Sequence, residues 1–311
     1  MSDSEPLRLP PAMVKRAREF TGPPAPVRPA ATVVLLRPTS TAIAAPTPGS
    51  LGSDARAADV PAAGHIRGVA PDESAGGPAG GAAVEPFEVY LLQRATTMVF
   101  GGVYAFPGGG VDPTDRPETV RRDWGERLGL PDDAARAVVG AAVRELFEEA
   151  GVLLAGTEQA TLGDVSAPDW EADRAAVQRR ELTMTELLDR RGLRLRDDLL
   201  FPWSRWVTPE SEPKRFDTWF FVALLPEAQT ARNVSGEADR VIWIGPQAAN
   251  GLAMLPPTWS TLDDLRAYHS VVEVVAASAR RNAAAPVLPR VERTEDGGAV
   301  LHVPRISRTG R

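Results

Sequence analysis

Three glutamates, Glu145, Glu148 and Glu149, fall within five positions of the stretch "RELFEEAGVLL" (144–154), with Arg144 before them and Gly151 close behind. Like charges three and four residues apart on a helix repel by about 0.2–0.5 kcal/mol. On a helix turning about 100° per residue the three acids share one side, and Val139, Val143, Leu146 and Ala150 form a stripe on roughly the opposite face. A solvated charged face ordinarily mixes signs. Here the one nearby cation is Arg144, four residues before Glu148 and placed to steady that carboxylate. The acids also crowd the C-terminal end of the helix, where its dipole disfavours negative charge. A hard divalent cation, Mg²⁺ or Mn²⁺, held through oxygen ligands would turn this repulsion into coordination.

A second feature lies upstream. The turn "FPGGG" (106–110) can bring backbone carbonyls and amides up to a metal or a phosphate with no side chain in the way. Alone, a three-glycine turn is more often only a turn; beside the acidic helix, Gly108 and Gly109 become candidate binding positions.

The elements that must hold these groups are legible in the flanking sequence. "ATVVLLR" (31–37) and "FEVYLLQR" (87–94) read as strands, and "VYAFPGGGVD" (103–112) as a short strand entering the glycine turn. "LPDDAARAVVGAAVRELFEEAG" predicts a long helix capped by Asp132 or Asp133 and closed by Gly151. Further strands are expected at 215–226, 240–245 and 299–305, and a helix over 260–282 starting at Ser260 or Thr261. Strands interleaved with helices give one α/β or α+β domain over 31–282, preceded by a flexible proline-rich segment (1–30) and followed by a loosely ordered tail (283–311). Residues 38–86 are Ala, Gly, Pro and Ser with few large apolar side chains, which predicts a disordered insertion between two strands of one sheet.

Composition narrows the chemistry. A formal net charge of −6 argues against nucleic acid or an anionic membrane surface as partner. The absence of cysteine excludes thiolate metal sites and a cysteine nucleophile, and fits a reducing, cytoplasmic setting. There is no apolar run of membrane-spanning length.

At Arg144, Glu145, Leu146, Glu148, Glu149, Gly151 and Val152 the chain resembles the Nudix hydrolases, whose signature is G-x5-E-x7-R-E-U-x-E-E-x-G-U with U apolar. The second half matches throughout. In the first half, counting back from Arg144 puts Arg136 where the early glutamate belongs, so the box is read as interrupted by residues 113–133. An interrupted box, together with "YLLQRATTMVFGGVYAFPGGGVDPTDR" and "RFDTWFFVALLP", is similar to the coenzyme A diphosphatases of the peroxisomal type. The resemblance implies an α/β/α sandwich around a mixed β-sheet, divalent ions held by Glu145, Glu148, Glu149 and a carbonyl near Gly109, and hydrolysis of a diphosphate in a small nucleotide by a monomer or homodimer. Arg144 would then orient the glutamates, and Arg94 at its strand end would meet phosphate with Gly108 and Gly109. Glu237 is the first candidate for general base, with Glu210 and Glu212 next. Coenzyme A or its acyl derivatives are the favoured substrates, ahead of ADP-ribose, dinucleotides or oxidised nucleoside triphosphates. A binding module without turnover would not need all three carboxylates. Trp203, Trp206 and Trp219 are expected in the core, Arg215 is a lesser candidate for phosphate, and His65, His269 and His302 form no recognisable site.

Overall fold

The computed structural model of the protein describes residues 7–8, 11–39, 86–97, 101–294 and 298–304. The insertion expected at 38–86 falls almost entirely outside them. At the centre is strand Val27–Pro38, in the middle of a six-strand path. It pairs antiparallel with Phe87–Arg94 on one side and parallel with Arg215–Leu224 on the other. Ala238–Ile244 extends the sheet beyond Phe87–Arg94, while Leu200–Val207 and then Pro286–Val287 extend it beyond Arg215–Leu224. The sheet is therefore mixed.

The run "ATVVLLR" is apolar at every turn of the pleat because both faces of this strand are covered. Val33 and Leu35 enter one core with the long helix Asp132–Ala150, whereas Val34 and Leu36 enter the other with the helices Pro256–Leu265 and Val271–Ser278. This is the three-layer α/β/α arrangement expected from the resemblance. Glycine brings the turn close: Gly108–Gly110 pairs with Ala30–Thr32, and a β-carbon at Gly108 would lie 2.5 Å from the Ala31 carbonyl oxygen. The central strand thus carries the glycine turn at one of its edges and the acidic helix on one of its faces.

Several elements differ from expectation. The acidic helix begins after Pro131 with no side-chain cap, and Asp132 and Asp133 occupy its first turn, where they complement the dipole instead. The helix expected at 260–282 is two. The first starts at Pro256, a favoured first helical position, and leaves Ser260 and Thr261 in its interior; the second is capped by Ser270, whose hydroxyl accepts from the Glu273 amide at 3.2 Å. Residues 1–30 are not merely a flexible lead, since they contain a helix at Pro11–Glu19 and the first residues of the central strand. In the tail the expected late strand forms at Ala299–His302, and beside it an unforeseen one at Arg290–Arg293; the two form a small sheet with Leu7–Arg8 and cover Met13. Among the described residues no helix is long and apolar enough to cross a membrane.

Leu146 is fully buried on the dry side of the acidic helix. Leu146→Ala is expected to lower stability by about 2–5 kcal/mol through lost burial and the cavity left behind, read as a lower urea midpoint with unchanged slope.

Candidate active site

The acidic side of the helix Asp132–Ala150 is not a solvated face. Glu145, Glu148 and Glu149 are each at most 8% exposed. What holds them there begins with Arg144, whose guanidinium is 2% exposed and uses every nitrogen. Its Nε and Nη2 donate to the two carboxylate oxygens of Asp115 at 2.7 and 2.9 Å, and Nη2 also donates to the Gly110 carbonyl at 2.8 Å. Nη1 donates to Glu145 at 2.6 Å and to Glu148 at 3.2 Å. Burial works against its charge, yet Asp115, Glu145 and Glu148 together leave it more firmly protonated than a free guanidinium.

The glycine turn closes the other side. The Gly108 amide donates to Glu149 at 2.8 Å, and a β-carbon on Gly109 would stand 2.5 Å from a Glu145 carboxylate oxygen. Neither position tolerates a larger residue without moving the turn or the acid. Arg94 and Glu237 complete this side. Arg94 is half-buried at the end of its strand, and its charge eases the ionisation of Glu149; the exposed Glu237 opposes it. The Glu237 carbonyl accepts from the Ala95 amide at 2.8 Å, which fixes the two loops side by side.

These environments penalise negative charge. Burial, set against the pull of Arg144 and reinforced by Glu148, raises the Glu145 carboxyl from 4.5 to about 7. Burial likewise raises Glu148, against Arg144 and Arg180, and burial followed by the charge of Glu145 holds Glu149 well above the usual carboxylate range. Oxygen donors whose ionisation is suppressed by burial and by one another are a fitting set for a hard divalent cation, which would favour the charged forms. Among the described residues, however, the acids do not converge as a ready-made group of three ligands. Glu145 and Glu149 face the glycine turn, while Glu148 meets Arg144 and Arg180, the latter at 2.5 Å.

The counter-charge at the helix end is partly built from protein. Arg174 Nη1 donates to the Glu148 carbonyl at 3.1 Å, and the Arg232 amide donates to the Ala150 carbonyl at 2.8 Å. Gly151 ends the helix with φ of 65°, close enough to the Arg232 guanidinium that a β-carbon would lie 2.8 Å from Nη2. Glu212 is buried in an ion pair with Arg16 of the N-terminal helix, and Glu210 is exposed. Arg215 is caught on the carbonyls of Ala25 and Thr208. Trp203, Trp206 and Trp219 are buried, as expected of core residues. His302 pairs with Glu292, His269 is exposed, and His65 lies outside the described residues.

With this geometry in place, comparison with known proteins is direct. The family model of the NUDT19 Nudix domain matches residues 117–259. "Putative nudix hydrolase 7" of Caenorhabditis elegans is 31% identical over 175 residues, 54% of this chain and 52% of that protein. The chain therefore resembles the Nudix hydrolases, with the match to the family model centred on residues 117–259. "Acyl-coenzyme A diphosphatase NUDT19" of Homo sapiens is 27% identical over 223 residues, 56% of this chain and 58% of that protein. The chain thus spans a little over half the length of these curated relatives. The crystal structure of a Nudix hydrolase from Alicyclobacillus acidocaldarius shares the fold, with a TM-score of 0.54 and 24% identity over 81% of this chain and 96% of that one.

In Nudix terms the structure corrects the reading of Arg136. Counting back from Arg144 is defeated by the insertion, but counting forward from Gly109 gives Gly109-x5-Asp115, and Asp115 is the acid that holds Arg144. Arg136 instead donates to the Pro117 and Glu118 carbonyls and props the inserted segment. Gly140 lets that segment lie on the helix, since a β-carbon there would stand 2.9 Å from Pro117 Cδ. Asp115 was findable from forward spacing; Asp112, Arg174, Arg180 and Arg232 carried no sequence signal.

Asp115 and Arg144 form a buried pair, so removing one partner strands the other. Asp115→Ala is expected to lower stability by about 3–5 kcal/mol in urea melts. The raised Glu145 sets a pH dependence. Between its unfolded value of 4.5 and its folded value of about 7, the unfolded chain releases a proton that the folded one keeps. The contribution of Glu145 to the stability of the metal-free protein is therefore lost as pH rises through that window. Because a divalent cation favours the ionised acid, the rise in Tm caused by Mg²⁺ is expected to be larger at about pH 8 than at about pH 5. An equal rise at both would show that the ion binds elsewhere.

Proposed function

We propose that this Nudix domain is a Mg²⁺- or Mn²⁺-dependent diphosphatase acting on a nucleoside diphosphate linked to another moiety, with coenzyme A or an acyl-coenzyme A as the favoured substrate. The observation that carries the reading is the closure of the glycine turn onto the acidic helix, which puts the Gly108 amide on Glu149 and Gly109 against Glu145. Glu145, Glu148 and Glu149, with a carbonyl of the turn, are the oxygen donors for the ion. Bound there, it would supply neutralisation of diphosphate charge and a water of lowered pKa.

The chain's own residues do the rest. Arg144, locked by Asp115, fixes the rotamers of Glu145 and Glu148 so that they do not have to be ordered during reaction. Arg94 has a buried Nε without a hydrogen-bond partner among the described residues, and it stands beside Glu149 where an anionic phosphate would satisfy it. Glu237, solvent-exposed across from Glu149, is assigned the proton of the attacking water. Water adds to one phosphorus as the bridging P–O bond breaks; coenzyme A would yield 3',5'-ADP and a phosphopantetheine. The preference for coenzyme A over ADP-ribose rests on the interrupted box and on likeness to a relative named as an acyl-coenzyme A diphosphatase.

Incubation with Mg²⁺ or Mn²⁺ and a panel of coenzyme A, acyl-coenzyme A, ADP-ribose, dinucleotides and nucleoside triphosphates, with products separated by chromatography, is expected to show cleavage of the coenzyme A compounds first. Cleavage of another member alone would reassign the substrate, and cleavage of none would favour a binding module. Glu149→Gln is expected to cut turnover by at least about 10²-fold with little change in Tm; near-normal rates would remove Glu149 from the metal site.

A further inference from the structure

Arg180 sits in the turn after the helix Pro168–Gln178, well outside the Nudix box, yet its guanidinium reaches Glu148, the acid of the box that faces away from the glycine turn. Its Nη1 donates to Glu148 and to the Val177 carbonyl, and its Nε donates to Asp112 at 3.2 Å, two residues past the glycine turn. It therefore spans the mouth of the site, from the loop on one side to the acidic helix on the other. Its backbone is left-handed, with φ of 61°, the one non-glycine residue so placed among those described. An L side chain rarely holds that conformation unless its surroundings fix it.

Two arginines touch Glu148, and they differ. Arg144 is 2% exposed and tied by all its nitrogens to groups that themselves belong to the frame. Arg180 is 42% exposed and holds Glu148, itself 8% exposed, from the solvent side. One is fixed; the other can swing away without opening the core. A divalent ion draws on the carboxylate of Glu148, and a guanidinium on its Oε1 competes with it. Released, the same planar fork suits a phosphate and lies between the loop after the glycine turn and the acidic helix.

We propose that Arg180 is a displaceable internal cation: it holds Glu148 in the ion-free protein, gives that carboxylate up when a divalent ion binds, and then grips the anionic diphosphate of the substrate. The proposal rests on the metal-dependent diphosphatase reading above. It makes Arg180 a substrate-binding residue contributed by a segment with no counterpart in the family signature.

The test uses the full chain and two readouts. Mn²⁺ alone is titrated into wild type, Arg180→Ala, Arg180→Gly and Arg180→Lys, with free Mn²⁺ followed by electron paramagnetic resonance. KM and kcat are then measured on whichever of coenzyme A or ADP-ribose the wild type cleaves. Arg180→Ala and Arg180→Gly are expected to bind Mn²⁺ about three- to fivefold tighter, as fits loss of a partly exposed competing pair. Both are expected to raise KM by about tenfold, the loss of one bidentate phosphate contact, with a smaller change in kcat. The glycine variant keeps the left-handed backbone without strain, so agreement between the two separates the side chain from the turn. Arg180→Lys is expected to keep the wild-type Mn²⁺ affinity while KM stays raised. Unchanged Mn²⁺ affinity or unchanged KM in both Arg180→Ala and Arg180→Gly overturns the proposal while leaving the diphosphatase reading intact. A wild type that neither binds Mn²⁺ nor cleaves any diphosphate overturns both.

Discussion

The guanidinium of Arg144 is the interaction on which the site depends. A buried cation with no escape to solvent must be satisfied at every nitrogen, and the chain answers with an aspartate from the inserted segment, a carbonyl from the glycine turn and two glutamates of its own helix. Each of those partners is thereby located relative to the others. The turn cannot drift from the helix without stranding a charge, and the insertion cannot detach without the same penalty. Packing on the opposite face, from Val139 to Ala150, keeps the helix against the sheet so that this network has a rigid base.

Around that fixed centre the electrostatics are deliberately unbalanced. Buried glutamates raise one another's affinity for protons, and the arginines near the helix end offset only part of this. Such an arrangement stores a preference for positive charge at the glycine turn. The fold supplies it with backbone dipoles and with Arg94 at a strand end, which places neutralising groups on the same side as the acids.

Much of this was legible in the sequence, and the reasons are physical. The acidic helix was readable because its two faces differ so sharply and because Gly151 marks its end. The strands "ATVVLLR" and "FEVYLLQR" announced themselves because burial on both sides demands continuous apolar residues. What stayed hidden depends on contacts across the fold. Asp115 could be placed by counting forward from Gly109, but its pairing with Arg144, 29 residues away, could not. The break at 266–270 is set by Ser270 capping a new helix, a choice that helical periodicity alone does not register. The role of Arg180 follows from a left-handed backbone and a reach across the mouth, neither of which composition encodes.

The parallel pairing of Val27–Pro38 with Arg215–Leu224 has a consequence for how the molecule comes into being. Val27 to Leu36 each meet a partner 188 positions later, so a long loop must close before that strand is enclosed. The glycine turn hangs on the same strand and the acidic helix lies against it. The geometry of the candidate site therefore depends on a match between two segments 188 residues apart.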